Sequence, residues 1–356
     1  MSTRINKVSA KMASSVFAAS QRKSVLSVAL EKKTAPNLHW EPIAPLGPKA
    51  AFHTGGILND VLYIHGGIQE AGSNHPSNQF YKLDLKTTFW EEIHTPGSPS
   101  LSHHAAVVLE DRYLLLIGGW DGKKRGSELH VYDSQEDKWS QMKQSGFPVG
   151  AGLSNHTANK LSDGKIIIIG RDGSLRTQRK HGNGYILSGS VISGHFIYTQ
   201  YSNEIISRSG HTANVIGSNV FILGGRSDSV FEKTSGFQSA KTVKCGVLTK
   251  LLSSVESKLQ TPLQRFPCGR KNHVSVGDDK CIFVHGGETF DGRREPTGDM
   301  LLIVLKAPVC FFQLSGEPLK RSGHVCFVWC DRVFLHGGLS GKATVHADLY
   351  DLVIKP

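Results

Sequence analysis

The stretch HAAVVLEDRYLLLIGG, residues 104–119, decides the fold. A histidine opens a run of small and apolar residues. A charged Glu110-Asp111-Arg112 turn follows, and a second apolar run ends in a glycine pair. Runs of about five residues bounded by turn residues are strand-sized. The pattern returns along the chain as VLYIHGG, KIIIIG, VFILGG, CIFVHGG and VFLHGG. The first glycines stand at 66, 118, 170, 224, 286 and 337, at intervals of 52, 52, 54, 62 and 51 residues. The third copy is degenerate, with Gly170-Arg171 in place of a pair. Thirteen or fourteen residues before each first glycine stands a histidine: His53, His104, His156, His211, His273 and His324.

Each unit holds more than two strands. After the glycines and a loop comes a run with Tyr81 to Asp84, Tyr132-Asp133 or Tyr350-Asp351, and then a tryptophan at Trp90 and Trp139. Four strands per ~50 residues is the unit of a β-propeller blade. The sequence therefore predicts an all-β, six-bladed propeller over residues 39–356. The last repeat ends at Pro356 with no tryptophan after Tyr350-Asp351. Trp40-Glu41 lies ahead of the first histidine and is predicted to supply the missing strand, so that the N-terminal strand closes the last blade. The fourth repeat departs from the pattern: Leu248, Leu251, Leu252, Val255 and Leu259 recur at helical spacing, predicting a helical insert over about 240–262.

Composition narrows the function. Hydrophobic residues make up 39% and charged residues 20%, which is globular. No run of ~18 apolar residues is present, so no membrane-spanning helix is expected. The net charge is +11, but residues 1–38 hold seven basic residues (Arg4, Lys7, Lys11, Arg22, Lys23, Lys32, Lys33) against Glu31 alone. This segment reads as a basic flexible tail, with a composition similar to a mitochondrial transit peptide. The body lacks the dense basic stripe of a nucleic-acid binder. The six cysteines form no C-x-x-C pair, which fits reduced thiols in a cytoplasmic or nuclear protein.

The glycine pairs with spaced Tyr and Trp resemble the kelch repeat, over nearly 90% of the chain. The resemblance implies a kelch β-propeller, probed by partners at loops after the Gly-Gly strand and loops entering the next inner strand. On this chain those loops carry Trp120, Arg171, Arg176, Arg208, Arg226, Arg270 and Arg321. Arginine grips carboxylates bidentately, and a tryptophan beside it can anchor a partner. The expectation is a non-enzymatic, monomeric protein-interaction module that reads an acidic or carboxylate-bearing segment. A more particular resemblance, to one member of the family, implies an A-type cyclin as the partner. Other kelch propellers serve as substrate receptors of ubiquitin ligases; residues 1–38 leave no room for the docking domain such receptors carry, so 240–262 is the candidate docking helix. A few kelch propellers act on sugars, but no H-E-x-x-H, G-x-S-x-G or P-loop motif is present. The six histidines are expected to be symmetry-related structural residues, with no metal and no cofactor.

Overall fold

The computed structural model describes residues 37–44, 46–172, 184–201, 208–217, 219–226, 269–289, 295–305, 310–341 and 344–354. Among them every regular element is a β-strand. Blade 1 comprises strands Thr54–Leu58, Val61–His65, Phe80–Asp84 and Phe89–Glu92, hydrogen-bonded in that order. Blade 2 runs from Ala105–Leu109 at the axis to Lys138–Ser145 outside. Blade 3 runs from Thr157–Lys160 to His195–Gln200. The described part of blade 4 is the hairpin Thr212–Ile216 and Asn219–Leu223. Blade 5 starts at Val274–Gly277 and ends at Cys310–Gly316. The predicted helix at 240–262 and the tail up to residue 36 lie outside the described residues.

Blade 6 closes the ring as the sequence predicted. Its inner strands Val325–Trp329, Arg332–His336 and Leu349–Ile354 are completed by Asn37–Ala44 from the other end of the chain. That strand pairs antiparallel with Leu349–Ile354, from Leu38 opposite Ile354 to Glu41 opposite Asp351. Trp40 is buried and packs edge-on against Phe283 and His285 of blade 5. The same strand also touches blade 5 in parallel at Asn37 and Ser315, an outer-edge stitch repeated between blades 2 and 3 at His195 and Lys143.

In blades 1, 2 and 6 the first two strands are joined by short turns with two successive residues in the left-handed region. They are Asn59 and Asp60 (φ 47° and 66°), Glu110 and Asp111 (54° and 47°), and Cys330 and Asp331 (46° and 61°). Such turns match the twist of the hairpins they join. The Asp of the Tyr-Asp motif fixes the next turn: Asp133 Oδ1 accepts the amides of Gln135 and Glu136 and, with Oδ2, takes the fork of Arg112.

The apolar core is divided among the contacts between blades. Leu58, Tyr63 and Phe80 of blade 1 pack on Leu114, Leu116, Tyr132 and Trp139 of blade 2. Val107, Leu115 and Ile117 of blade 2 pack on Ile166, Ile168 and Tyr185 of blade 3. Because strand side chains alternate, each blade buries one face against each neighbour. The continuous IIII of Ile166–Ile169 is buried on both faces for that reason.

Candidate functional site

The inner strands begin beside the axis, and their first residues build a closed belt. The amide of Phe52 donates to the carbonyl of Gly323 at 2.7 Å, His103 to Phe52 at 2.8 Å, and Asn155 to His103 at 2.8 Å. Gly210 donates to Asn155 at 2.9 Å, Asn272 to Gly210 at 2.7 Å, and Gly323 to Asn272 at 2.9 Å. Six blades thus share one circle of backbone hydrogen bonds. All six residues are left-handed, with φ between 55° and 64°.

One residue further along each strand stand the six histidines, all buried. They explain the glycine pairs. A Cβ on Gly67 (φ 86°) would lie 2.8 Å from the Cβ of His53 in the same blade. A Cβ on Gly66 (φ 69°) would lie 3.0 Å from Cε1 of His104 in the next blade. Glycine pair and histidine are two halves of one contact, and left-handed φ adds a second reason for glycine.

The ring of histidines divides into two kinds of contact. In blades 1, 5 and 6 the residue before the glycine pair is itself a histidine. His65 Nδ1 meets His104 Nε2 at 2.9 Å, His285 meets His324 at 3.0 Å, and His336 meets His53 at 3.0 Å. Each of these pairs is covered by a tryptophan of the following blade: Trp139 on His65, Trp40 on His285 and Trp90 on His336. In blades 3 and 4 that residue is Ile169 or Leu223, and a threonine serves instead. Thr157 Oγ1 lies 3.0 Å from His211 Nε2, and Thr212 Oγ1 lies 3.1 Å from His273 Nε2. Blade 2 offers neither, having Ala105 and Ile117 at the two positions. His156 accordingly has no side-chain partner among the described residues, and its ring turns to the Ile117 backbone instead.

Burial holds these nine imidazoles neutral at pH 7. Desolvation lowers His65, His273, His285 and His336 to about 3 and His156 to about 4, and takes His53, His104, His211 and His324 well below the ordinary histidine value. Among the described residues no group of three or more His, Cys, Asp or Glu side chains could hold a metal ion. Below the histidines the axis widens into a channel of about 270 Å³, walled by Ala105, Thr157, Thr212, Ser275 and Cys326.

The seven residues singled out from sequence separate into groups. Arg171, Arg208, Arg270 and Arg321 are buried, at 1–5% exposure, and do not present their guanidinium groups to solvent. Arg208 Nη1 donates to the carbonyl of Gly224 at 2.8 Å. Arg270 Nη1 donates to Gly286 at 3.1 Å, and its Nη2 meets Asp299 at 3.1 Å. Arg321 bonds the Lys320 carbonyl and faces Asp348 at 3.7 Å. Arg171 bonds Tyr185 through its side chain, and burial disfavours its charge. Its amide still donates to the Arg208 carbonyl at 2.9 Å, as the second glycine does in the other blades. Trp120 and Arg226 do lie at the surface, half-buried and exposed respectively. Arg176 lies outside the described residues. The expected arginine-rich face is thus narrower than the sequence suggested.

The structure adds residues that the sequence reading passed over. Arg125 is exposed and lies over Trp120, with its guanidinium carbon 5.7 Å from the ring centroid. Trp120 Nε1 donates to the Asn74 carbonyl at 3.3 Å, bridging the loops of blades 1 and 2. Lys123 and Lys124 flank it. At the belt itself Phe52 and His103 stack at 4.2 Å with ring planes 17° apart. Arg125, Lys271 and Asp172 all act electrostatically on His103, so these groups surround one mouth. The legible signal was the residue before each inner histidine, which is Asn or Gly in four of six repeats and so marks a left-handed slot.

A family model described as the KLHDC2/KLHL20/DRC7 Kelch-repeats domain matches residues 18–225. The chain is 31% identical over 317 residues to kelch domain-containing protein 9 of Mus musculus, covering 84% of this chain and 90% of that protein. It is 26% identical over 321 residues to kelch domain-containing protein 3 of Homo sapiens, covering 85% and 81%. The solved structure of YjhT aligns with a TM-score of 0.62 at 17% identity, over 88% of this chain and 99% of that chain, a likeness of fold alone. Kelch-repeat domains are generally protein-interaction modules. With its glycine-pair blades, its N-terminal closing strand and these relatives, the chain belongs to the kelch-repeat family.

Proposed function

We propose that this propeller is a non-enzymatic interaction module that holds an acidic or carboxylate-bearing segment of a protein partner at the loop end of the axis. The observation that carries the reading is the juxtaposition of exposed Arg125, lying over half-buried Trp120, with exposed Lys123 on the same loop. A guanidinium already held over an indole loses less freedom when it meets a carboxylate. Arg226, on the loop of blade 4, extends the basic rim. Lys124 and Lys271 are already engaged, by Glu128 at 3.0 Å and Glu288 at 3.1 Å, and contribute less. The similarity to kelch domain-containing protein 9 suggests an A-type cyclin as the partner. The test is affinity purification and direct binding of a recombinant A-type cyclin to the wild type and to an Arg125→Glu, Arg226→Glu variant of matched melting temperature. Loss of the cyclin from the variant alone supports the reading. Equal capture by both proteins places binding elsewhere on the ring and overturns it.

A further inference from the structure

Within the belt, four of six positions carry residues suited to left-handed backbone: Asn155, Gly210, Asn272 and Gly323. The other two are Phe52 and His103, both at φ 55°. A bulky residue in this region is an outlier, and such outliers gather where a side chain is needed for recognition. These two are neighbours on the belt, and they stack on each other. Both rings are half-buried, and they line a small cavity at the mouth together with the six histidines. Phe52 also covers Gly323, where a Cβ would lie 2.7 Å from its ring. Asn155 and Gly210, next along the belt, carry no ring to continue the stack. The belt needs only the backbone of positions 52 and 103, so backbone geometry does not explain the two rings.

We propose that Phe52 and His103 form an aromatic platform at the axial mouth that receives a planar side chain (Phe, Tyr or Trp) carried within the acidic segment of the partner. The proposal rests on the acidic-segment reading above and adds the residue that enters the mouth. The ring pair supplies the stacking surface. Asp172 acts electrostatically on His103 from one side and Arg125 and Lys271 oppose it, so Arg125 is the cation within reach for the flanking carboxylates.

Three synthetic peptides test it by calorimetry or fluorescence anisotropy: Ac-GDEFEDG-NH2, the same peptide with Leu for Phe, and the uncharged Ac-GNQFQNG-NH2. The proteins are the wild type, Arg125→Glu, His103→Asn, and a Phe52→Asn, His103→Asn double variant. Asn is what blades 3 and 5 already carry at this slot, so the belt persists and His103→Asn should melt no lower than the wild type. The expected result is about tenfold weaker binding when either the peptide's Phe or the protein's two rings are removed, with little further loss when both are. Arg125→Glu should weaken both acidic peptides equally and leave the uncharged one unaffected. Equal affinity for the Phe and Leu peptides, or unchanged binding by His103→Asn and the double variant, overturns the platform while leaving the acidic reading standing. Uncharged and acidic Phe peptides binding alike would overturn the acidic reading and leave the platform. Absence of binding by every peptide would refute both.

Discussion

Acid should unfold this ring within a narrow window, and nine imidazoles set where. His53, His65, His104, His156, His211, His273, His285, His324 and His336 are all buried, and burial lowers each below its unfolded value. The neutral form is therefore the one that folding favours. The stability this provides is complete above the unfolded value of about 6.5 and is lost as pH falls from there toward the folded values. At pH 5.5 a histidine that titrates near 6.5 unfolded and near 4 or below folded costs about 1.4 kcal/mol; His65, His156, His273, His285 and His336 together cost about 7 kcal/mol, and His53, His104, His211 and His324 add to it in the same direction. That matches the whole stability of an ordinary domain, about 5–15 kcal/mol. The carboxylates with lowered values, such as Asp133 and Asp163, titrate below this window and do not compensate. Thermal melts followed by tryptophan fluorescence from pH 8 to 5 should be flat above pH 7 and fall steeply below 6.5. The fold should be lost between about pH 6 and 5, and unfolding at pH 5.5 should take up about four protons or more. A melting temperature unchanged between pH 7.5 and 5 would show that these imidazoles are not held neutral by the fold.

His156, which lacks the side-chain partner of its counterparts, predicts a stabilising change: Ala105→Thr supplies the hydroxyl that Thr157 and Thr212 supply to His211 and His273, and should exceed the isosteric Ala105→Val by about 1 kcal/mol in chemical denaturation. Equal stability of the two variants would mean His156 does not face position 105 as its counterparts face theirs. Deleting residues 37–44 removes the outer strand of blade 6 and exposes the ring's edge, so the cooperative melt should disappear. A retained transition would refute closure by this strand. Gly67→Ala should cost several kcal/mol, because its Cβ meets His53 and φ is 86°. A loss below about 0.5 kcal/mol would contradict the tight seat described for that imidazole.

The ring was legible because its two strongest signals, the glycine pairs and the histidines, are one repeated contact read from both sides. Trp40 was legible as the closing strand because the last repeat visibly lacks its fourth. The arginines were harder. Arg208, Arg270 and Arg321 each stand three residues before a central histidine, and in the other repeats that slot holds Ala50, Leu101 and Leu153. A slot that alternates between Arg and small or apolar residues is an interior slot; Arg208 and Arg270 donate to carbonyls of their blades' own glycines, and Arg321 to the Lys320 carbonyl. The pairing of histidine before the glycines with tryptophan in the next blade was also present in the sequence. His65 with Trp139, His285 with Trp40 and His336 with Trp90 are far apart along the chain, so only closure of the ring reveals them as neighbours. The Phe52 and His103 pair is of the same kind, joined only once the belt closes.

The belt has one more consequence. Its six peptide units point head to tail around a circle, so their dipoles run as a closed circuit and cancel on the axis. A helix terminus facing a ligand brings a fixed partial charge of its own. This mouth brings none, and the sign and strength of its field rest on side chains alone. Exchanging a few loop residues could therefore retune what the mouth attracts, from acidic to basic segments, without altering a single bond that holds the blades together.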